Sequence, residues 1–508
     1  MNDDKIDYRK KIKENIYILV ENRKFADALE LINHFEIIDK NDIDIYSIKG
    51  VIFIMEGNLD LAEKILKEGL EKDYNNFDIL YNLAYVHSLK KDYLSAYECY
   101  ISIKNKCKDE AICNKIEAEL TDIKDKYFLE TKKDLEENRS VGISDKAKKS
   151  YKKILYLGWL GQGNVGDDVL FDIFKKMIFT LKGNSEYNLM IDSFLPLNNY
   201  EVDLKQYDLI VLGGGSLYLL DYWIDICLNA ARLEVPYITW GTGIDIRDNN
   251  SIAHIVKRYK KEKINISSDK LVKLLSNSKL TSTRGNVSKY ILGYNEMEVI
   301  GDPCIIFDKM NDSYTDIEEV SSFIKGNDKI ILVNWGTSYN NISGGNEEMV
   351  ETELVKTVNK LLEKGYKIII YPIWINDIDS CVQLSKRFQS NKIMLLKKVY
   401  DAYKIASLIK KAFMTLNFKL HANILSMSMK KPFISLGYGM KCYDFCQSID
   451  SDELNIFTQD VSSMKIMEKI SYIEENCSMI VDRFEKHIEK YYRLQFDFGN
   501  RILKILDN

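Results

Sequence analysis

The stretch Asn417-Phe418-Lys419-Leu420-His421-Ala422 sets a lysine and a histidine side by side, where the strand-like run Phe413–Asn417 gives way to a helix-like run from Ala422 to Met429. A helix start presents unpaired N–H groups and the positive end of its dipole, so adding Lys419 and His421 makes an anion site. The chain has only five histidines. Imidazole titrates near neutrality, which makes His421 the candidate general acid or phosphate ligand. Arg284, directly after the strand-like Leu280–Thr283, and Lys441 are further cations suited to a small anionic ligand. Asp377 and Asp379, shortly after Tyr371-Pro372, are candidates to orient a hydroxyl or act as base.

These residues need elements to position them. The apolar run Ile154–Gly158 leads into Gly161-Gln162-Gly163-Asn164-Val165-Gly166-Asp167-Asp168, and a helical pattern follows to about Met177. The spacing is neither a dinucleotide fingerprint nor a P-loop. Carboxylates in a first helical turn suit the dipole but repel phosphate, so the loop suits a hydroxyl-rich ligand, with Asn164 and Asp167 as its contacts and Asp168 as a cap. Tyr207–Leu212 closes in Gly213-Gly214-Gly215-Ser216, and Pro236–Trp240 closes in Gly241-Thr242-Gly243. Leu280–Thr283 leads to Arg284-Gly285-Asn286, and Val299-Ile300 to Gly301-Asp302-Pro303. Glycines after a strand let backbone approach a ligand closely, here at Gly214 and Gly215. Strand-then-polar-turn units in succession put Asn164, Ser216, Thr242 and Arg284 on one rim of a parallel sheet.

Taken in order, these pieces resemble the polysaccharide pyruvyl transferase family. The resemblance covers roughly residues 152–445 and rests on Gly163-Asn164-Val165-Gly166-Asp167-Asp168, Gly213-Gly214-Gly215, Arg284, Gly301-Asp302-Pro303, Tyr371-Pro372, Leu420-His421-Ala422, and Tyr438 with Lys441. It implies transfer of pyruvate from phosphoenolpyruvate, as donor substrate, onto a sugar of a cell-surface polysaccharide or its precursor as a ketal. It implies no cofactor. His421, Arg284 and Lys419 would be the catalytic residues, and Asn164, Asp167, Gly214, Gly215, Ser216, Thr242, Asp377, Tyr438 and Lys441 the substrate contacts. Family members usually carry Arg where this chain has Lys419. Lysine keeps the charge and loses the planar two-pronged grip on carboxylate or phosphate.

Composition narrows the classes. The 508 residues are 46% hydrophobic and 29% charged, with a formal charge of −5. That is ordinary for a soluble globular chain of about three domains, and it leaves no basic footprint for nucleic acid. Nine scattered cysteines suit a reducing compartment. Cys442 and Cys446, four apart with no second pair, make a poor zinc site, so no metal is expected. No signal peptide is read at the acidic start, and no uncharged apolar run reaches the ~18 residues of a membrane helix. The expectation is a cytoplasmic protein, with peripheral attachment at the inner face of the membrane left open.

The first ~125 residues repeat. Ala28, Ala62 and Ala96 are spaced by 34, as are Phe25, Leu59 and Tyr93, and Ile32, Leu66 and Tyr100. Gly50 and Ala84 hold the small position of the preceding helices. A 34-residue period with small residues at helix crossings is the tetratricopeptide pattern, whose curved arrays bind peptides or partner proteins. The helix around Ala111–Lys124 would cap the array. The reading is therefore tetratricopeptide-like helical repeats over 1–125, a charged helix and linker over 126–150, a first Rossmann-like lobe over 151–320, and a second with C-terminal helices over 321–508. This is an α/β, glycosyltransferase-B-like pair of lobes preceded by an all-α repeat domain. The aromatic-bearing segment Ile466–Leu506 is expected to be helices packed on the lobes. Two other functions fit the same outline. A nucleotide-sugar glycosyltransferase would want Glu or Asp shortly after His421, where Asn423 and Ser426 stand. A degenerate transferase serving as a repeat scaffold is the other.

Overall fold

The computed structural model describes residues 2–39, 42–73, 76–104, 107, 111–120, 122–123, 151–161, 163–183, 187–194, 202–259, 268–326 and 328–507. The expected charged helix and linker over 126–150 lies outside the described residues. The chain forms two compact units, Met1–Lys146 and Ala147–Asn508.

Among the described residues the regular structure of the first unit is helical. Its helices Asn2–Glu21, Phe25–Ile38, Asp44–Met55, Leu59–Lys72, Phe77–Leu89 and Tyr93–Lys104 follow one another through short turns, and residues 111–120 and 122–123 continue the pattern. Positions 34 apart occupy equivalent places: Ala28, Ala62 and Ala96 are fully buried, as are Ile32, Leu66 and Tyr100. The small residues are demanded by contact. A Cβ on Gly50 would stand 2.5 Å from Leu66, and one on Gly69 would stand 2.7 Å from both Ile79 and Tyr46.

The second unit is built on parallel strands with helical crossovers. In its first lobe β1 (Tyr151–Leu157), β2 (Asn188–Phe194), β3 (Leu209–Leu212) and β4 (Tyr237–Thr239) lie in the order β2-β1-β3-β4. Short β5 (Ser282–Thr283) and β6 (Glu298–Val299) pair with each other, and the bridges Gly215–Thr242 and Thr242–Thr283 carry the pairing across from β3 to β5. The second lobe holds β7 (Ile330–Asn334), β8 (Lys367–Tyr371), β9 (Ile393–Leu395), β10 (Met414–Asn417), β11 (Phe433–Gly437) and β12 (Asn455–Phe457), in the order β12-β11-β10-β7-β8-β9. Strands β7, β10 and β11 are buried along their whole length, as expected of continuous apolar runs covered on both faces.

Both sheets reverse their winding once, between β1 and β3 in the first lobe and between β7 and β10 in the second. Ligands of open parallel sheets bind outside the carboxyl ends of the strands at such reversals. The expected strands are present. Edge strands β2 and β12 complete the sheets without having been read from the sequence. The C-terminal segment, Ser463–Asp507, is two helices that meet at a kink where Asn476 leaves helical geometry. It returns to the first lobe, where Gly499 meets Met177 and Leu181 and Arg501 pairs with Glu298 at 2.6 Å. Among the described residues no helix is long and apolar enough to cross a membrane.

Candidate active site

The glycine-rich loop after β1 is tied to both lobes. Asn164 caps the helix Val165–Lys182, its Oδ1 accepting from Gly166 N at 3.1 Å, and Asp168 accepts from Gly161 N at 2.9 Å, steadying the turn. On the other side the loop forms a two-way backbone bridge to the segment after β8: Val165 N donates to Ile373 O and Ile375 N to Gly163 O, each at 3.1 Å. Gly166 is needed for approach rather than conformation. His421, from the second lobe, lies on its backbone, and a Cβ there would stand 1.9 Å from the imidazole Nδ1. After β3, Gly215 has φ +103, reserved for glycine, and Gly214 N donates to the buried hydroxyl of Tyr156 at 3.0 Å.

Arg284 follows β5 and is almost wholly buried. Its guanidinium donates to Gly215 O at 3.0 Å, Ser216 Oγ at 2.9 Å and Ile244 O at 2.9 Å, while Nε has no partner. Among the described residues no carboxylate lies within ion-pair distance of it. The next helix, Asn286–Leu292, is capped from the second lobe: buried Asp444 accepts from Val287 N at 2.8 Å and Ser288 N at 3.2 Å. The lobes are therefore joined by hydrogen bonds on both flanks of the cleft.

Between them lies a cavity of about 840 Å³. Of the residues singled out in the sequence, Asn164, Asp167, Gly215, Ser216, Arg284, Lys419, His421, Tyr438 and Lys441 line it. Gly214, Thr242 and Asp377 do not. Gly214 and Thr242 sit behind the lining, where the Thr242 hydroxyl accepts from Leu217 N at 3.1 Å. Asp377 corrects a reading: it is fully buried beneath Lys419, pairing with Nζ at 2.9 Å and accepting from Thr337 N at 3.2 Å. Its carboxylate anchors the lysine and does not line the cavity. Asp379 lies in the helix Ile378–Lys386, away from the lining. Lys419 also donates to Thr337 O at 2.6 Å and lies 4.8 Å over the Trp374 ring.

The cavity adds groups the sequence reading passed over. Asp245 lies between two cations, accepting from Arg247 Nε at 3.0 Å and pairing with Lys441 Nζ at 3.2 Å. The Tyr438 ring underlies both, 5.2 Å from the Arg247 guanidinium and 4.7 Å from the Lys441 ammonium. Both residues follow Gly241-Thr242-Gly243, alternating with Ile244 and Ile246; that polar–apolar alternation past the glycines was the available signal. Asp302, within the quoted Gly301-Asp302-Pro303, approaches His421 Nε2 at 4.0 Å, and neither facing atom has a hydrogen-bond partner. Trp159, Tyr339 and Trp374 complete the walls and carried no motif.

Burial sets the protonation states. It lowers His421 to about 3, with the nearby Arg284 and Lys441 charges adding to the effect. It raises Asp167 to about 7, with Asp168 adding and Lys441 opposing, and raises Asp302 to about 6 against Arg284. For Lys441 burial is the largest influence and acts downward, but Asp245 and Tyr438 together outweigh it and the ammonium is held well above its usual range. The site thus joins buried cations to a carboxyl that is an acid near neutrality and an imidazole that is neutral there. It can hold a small polyanion, give a proton and receive one. Among the described residues no group of His, Cys, Asp and Glu could hold a metal ion.

A family model described as polysaccharide pyruvyl transferase matches residues 109–439. No curated protein matches the chain in sequence. Similar solved structures include an S. aureus MnaA–UDP co-structure, at 11% identity over 66% of this chain and 91% of that one, with a TM-score of 0.44. Another is UDP-GlcNAc 2-epimerase from Neisseria meningitidis bound to UDP-GlcNAc, at 11% identity over 70% and 99%, with a TM-score of 0.43. A third is an O-GlcNAc transferase mutant from Thermobaculum terrenum, at 10% identity over 98% and 96%, with a TM-score of 0.35.

Proposed function

The chain belongs to the polysaccharide pyruvyl transferase family and is a transferase, and from that premise we propose that its donor is phosphoenolpyruvate and its product a pyruvate ketal on a sugar. The observation that carries this reading is Arg284. It is a buried guanidinium held by two carbonyls and a hydroxyl with no carboxylate in ion-pair contact among the described residues, which suits an anion that arrives as ligand. Lys441 and Lys419 flank the same floor. Donor carboxylate and phosphate are assigned to these three cations.

The chemistry is then a sequence of proton transfers. Asp167, protonated at and below neutrality, gives its proton to the methylene carbon of the donor, leaving an oxocarbenium-like centre at the adjacent carbon. One sugar hydroxyl attacks that carbon and loses its proton. Phosphate leaves with the electron pair of the carbon–oxygen bond, and a second hydroxyl closes the ketal, losing its own proton. Two hydroxyl protons are released, one replacing that given to carbon and one leaving on phosphate. Neutral His421 is assigned as the acceptor of a hydroxyl proton; burial is the main cause that keeps it unprotonated, and donor charge beside Arg284 and Lys441 offsets the cationic part. Asp302 is assigned the role of orienting it. The helical repeats are assigned to a protein or peptide partner, on the general behaviour of such arrays.

The test is thermal. Phosphoenolpyruvate at a hundredfold excess over its dissociation constant stabilises by about 2.7 kcal/mol, and salt should weaken the shift. Arg284→Ala should reduce donor affinity by roughly 2–5 kcal/mol, the scale for leaving a buried anion unpaired. A melting shift with nucleotide sugars and none with phosphoenolpyruvate overturns the reading.

A further inference from the structure

The cationic floor accounts for only part of the cavity. A three-carbon phosphoester is small against about 840 Å³, a volume within the range of about 300–1,000 Å³ that takes larger ligands. The remaining wall is aromatic and comes from both lobes. Trp159, in the loop after β1, is 39% exposed and meets Trp223 edge-on, with ring centroids 5.6 Å apart. Tyr339, in the loop after β7, is 64% exposed and meets Trp374 edge-on at 6.4 Å.

Tyr339 is held out deliberately. It and Asn340 both have φ +57, a left-handed conformation that is a genuine outlier for a bulky residue. Glu347 enforces it: the carboxylate accepts from Ser338 N at 2.6 Å, Asn340 N at 3.2 Å and Thr337 Oγ1 at 2.9 Å, and Glu347 N donates to Asn340 Oδ1 at 3.0 Å. Backbone strain of this kind persists only where the surroundings over-determine it, and it concentrates at ligand clamps. Here it turns an aromatic ring toward the mouth of the cavity instead of folding it into the core.

Resting on the pyruvyl-transfer reading above, we propose that the mouth of the cavity is a sugar-ring subsite. It holds a pyranose of the acceptor adjacent to the one modified at the floor, so the acceptor is a disaccharide or longer. The chemistry is that of an aromatic face, whose negative π-cloud attracts the polarised C–H faces of a pyranose ring. The polar groups lining the same cavity, Asp245, Arg247 and Asp248, are donors and acceptors for ring hydroxyls. An isoprenoid tail would strip water from these charged groups and return no hydrogen bonds, which is why a sugar ring is chosen over a lipid.

The experiment is a glycan array of mono-, di- and trisaccharides of common pyranoses, probed with the full chain in the presence of phosphoenolpyruvate. The unaltered chain should mark oligosaccharides over matching monosaccharides by about tenfold, the scale of an aromatic contact. Trp159→Ala and Tyr339→Gly should each lose that preference; the glycine also relaxes the left-handed backbone, so loss of folding does not explain the result. Tyr339→Phe should restore it. Equal marking of monosaccharides, an oligosaccharide signal indifferent to both variants, no marking of any glycan, or capture of polyprenyl-phosphate vesicles instead would each overturn the subsite. A phosphoenolpyruvate melting shift on the unaltered chain is read in parallel. A shift without oligosaccharide preference sinks only the subsite, and oligosaccharide preference without a shift sinks only the donor assignment.

Discussion

Gly166→Ala tests the active-site geometry from a position that carries no chemistry of its own. The new methyl would stand 1.9 Å from His421 Nδ1, 2.2 Å from Cγ and 2.6 Å from Cβ. Ordinary contact begins at 3.4 Å, so the imidazole must retreat by about 1.5 Å, the difference from 1.9 Å. It has little room, because every residue of its helix Leu420–Ser428 is buried. Overpacking of this kind costs about 1–3 kcal/mol, offset in part by the better helix propensity of alanine, worth up to about 1 kcal/mol. The fold should therefore survive with a modestly lower Tm. Turnover should suffer far more: displacing a reacting group by about 1 Å can cost about 10²-fold. The assay is phosphate release from phosphoenolpyruvate with an acceptor glycan, alongside the donor-induced melting shift, which should persist because Arg284 and Lys441 do not touch Gly166. In a His421→Ala background the two ring contacts are gone and only the 2.6 Å contact with Cβ remains, so the two substitutions should couple by about 0.5–3 kcal/mol in stability. Near-normal turnover in Gly166→Ala, or strict additivity with His421→Ala, refutes the placement of the imidazole on this backbone.

Asp167→Asn removes the proposed acid while keeping its shape, and should reduce turnover by about 10²–10⁴-fold; in the unaltered chain turnover should fall as pH rises above about 7, the value to which burial lifts this carboxyl. Because that value is raised from 3.8, the carboxyl favours folding fully below 3.8 and loses that contribution as pH climbs through about 7. Asp167→Asn should therefore raise Tm relative to the unaltered chain at pH 8 and not at pH 4, and the reverse order in paired melts would sink the assignment. Lys419→Ala leaves Asp377 buried without its cation, a loss of up to about 3–5 kcal/mol that should shrink as pH falls and vanish below about pH 6, where the carboxyl takes a proton even beside the lysine; Lys419→Arg should retain stability and bind phosphoenolpyruvate as tightly or more so. A chain of residues 147–508 should fold alone, since that unit has its own sheets and core, and an insoluble product with no cooperative melt would contradict the division.

What could be read in the sequence follows from where each residue is buried. Strands such as Ile330–Asn334 and Phe433–Gly437 are covered on both faces and announce themselves as unbroken apolar runs. Edge strands β2 and β12 mix polar with apolar residues, Asn188 and Asp192 in one and Asn455 in the other, and give no such signal. Cavity residues next to a strand end, Ser216, Arg284, Lys419 and His421, were legible because the turn after a buried strand points one way. Asp245 and Arg247 were not, because they lie past that turn in a segment without regular structure. Asp377 was misassigned for a related reason. The sequence shows a carboxylate after a strand but not the lysine from another strand that covers it.

The three floor cations meet burial in different ways, and the difference decides how each can serve an anion. Lys441 and Lys419 each share a carboxylate, Asp245 and Asp377, at 3.2 and 2.9 Å. Asp245, with Tyr438, keeps Lys441 charged against burial, at the price of dividing its field between a protein carboxylate and any ligand. Arg284 has no carboxylate in ion-pair contact among the described residues. Its desolvation is met by Gly215 O, Ser216 Oγ and Ile244 O, which satisfy donors without cancelling charge. Arg284 is thus the one cation of the three with no carboxylate in ion-pair contact among the described residues, though its field also reaches Asp302 and Asp444, and a Lys there would keep the charge but lose three simultaneous contacts that fix its direction. Donor affinity should accordingly be far more sensitive to Arg284→Lys than to Lys419→Arg, although each exchange preserves the charge. Equal sensitivity of the phosphoenolpyruvate melting shift to the two exchanges would show that charge alone, and not the carbonyl-anchored fork, holds the donor.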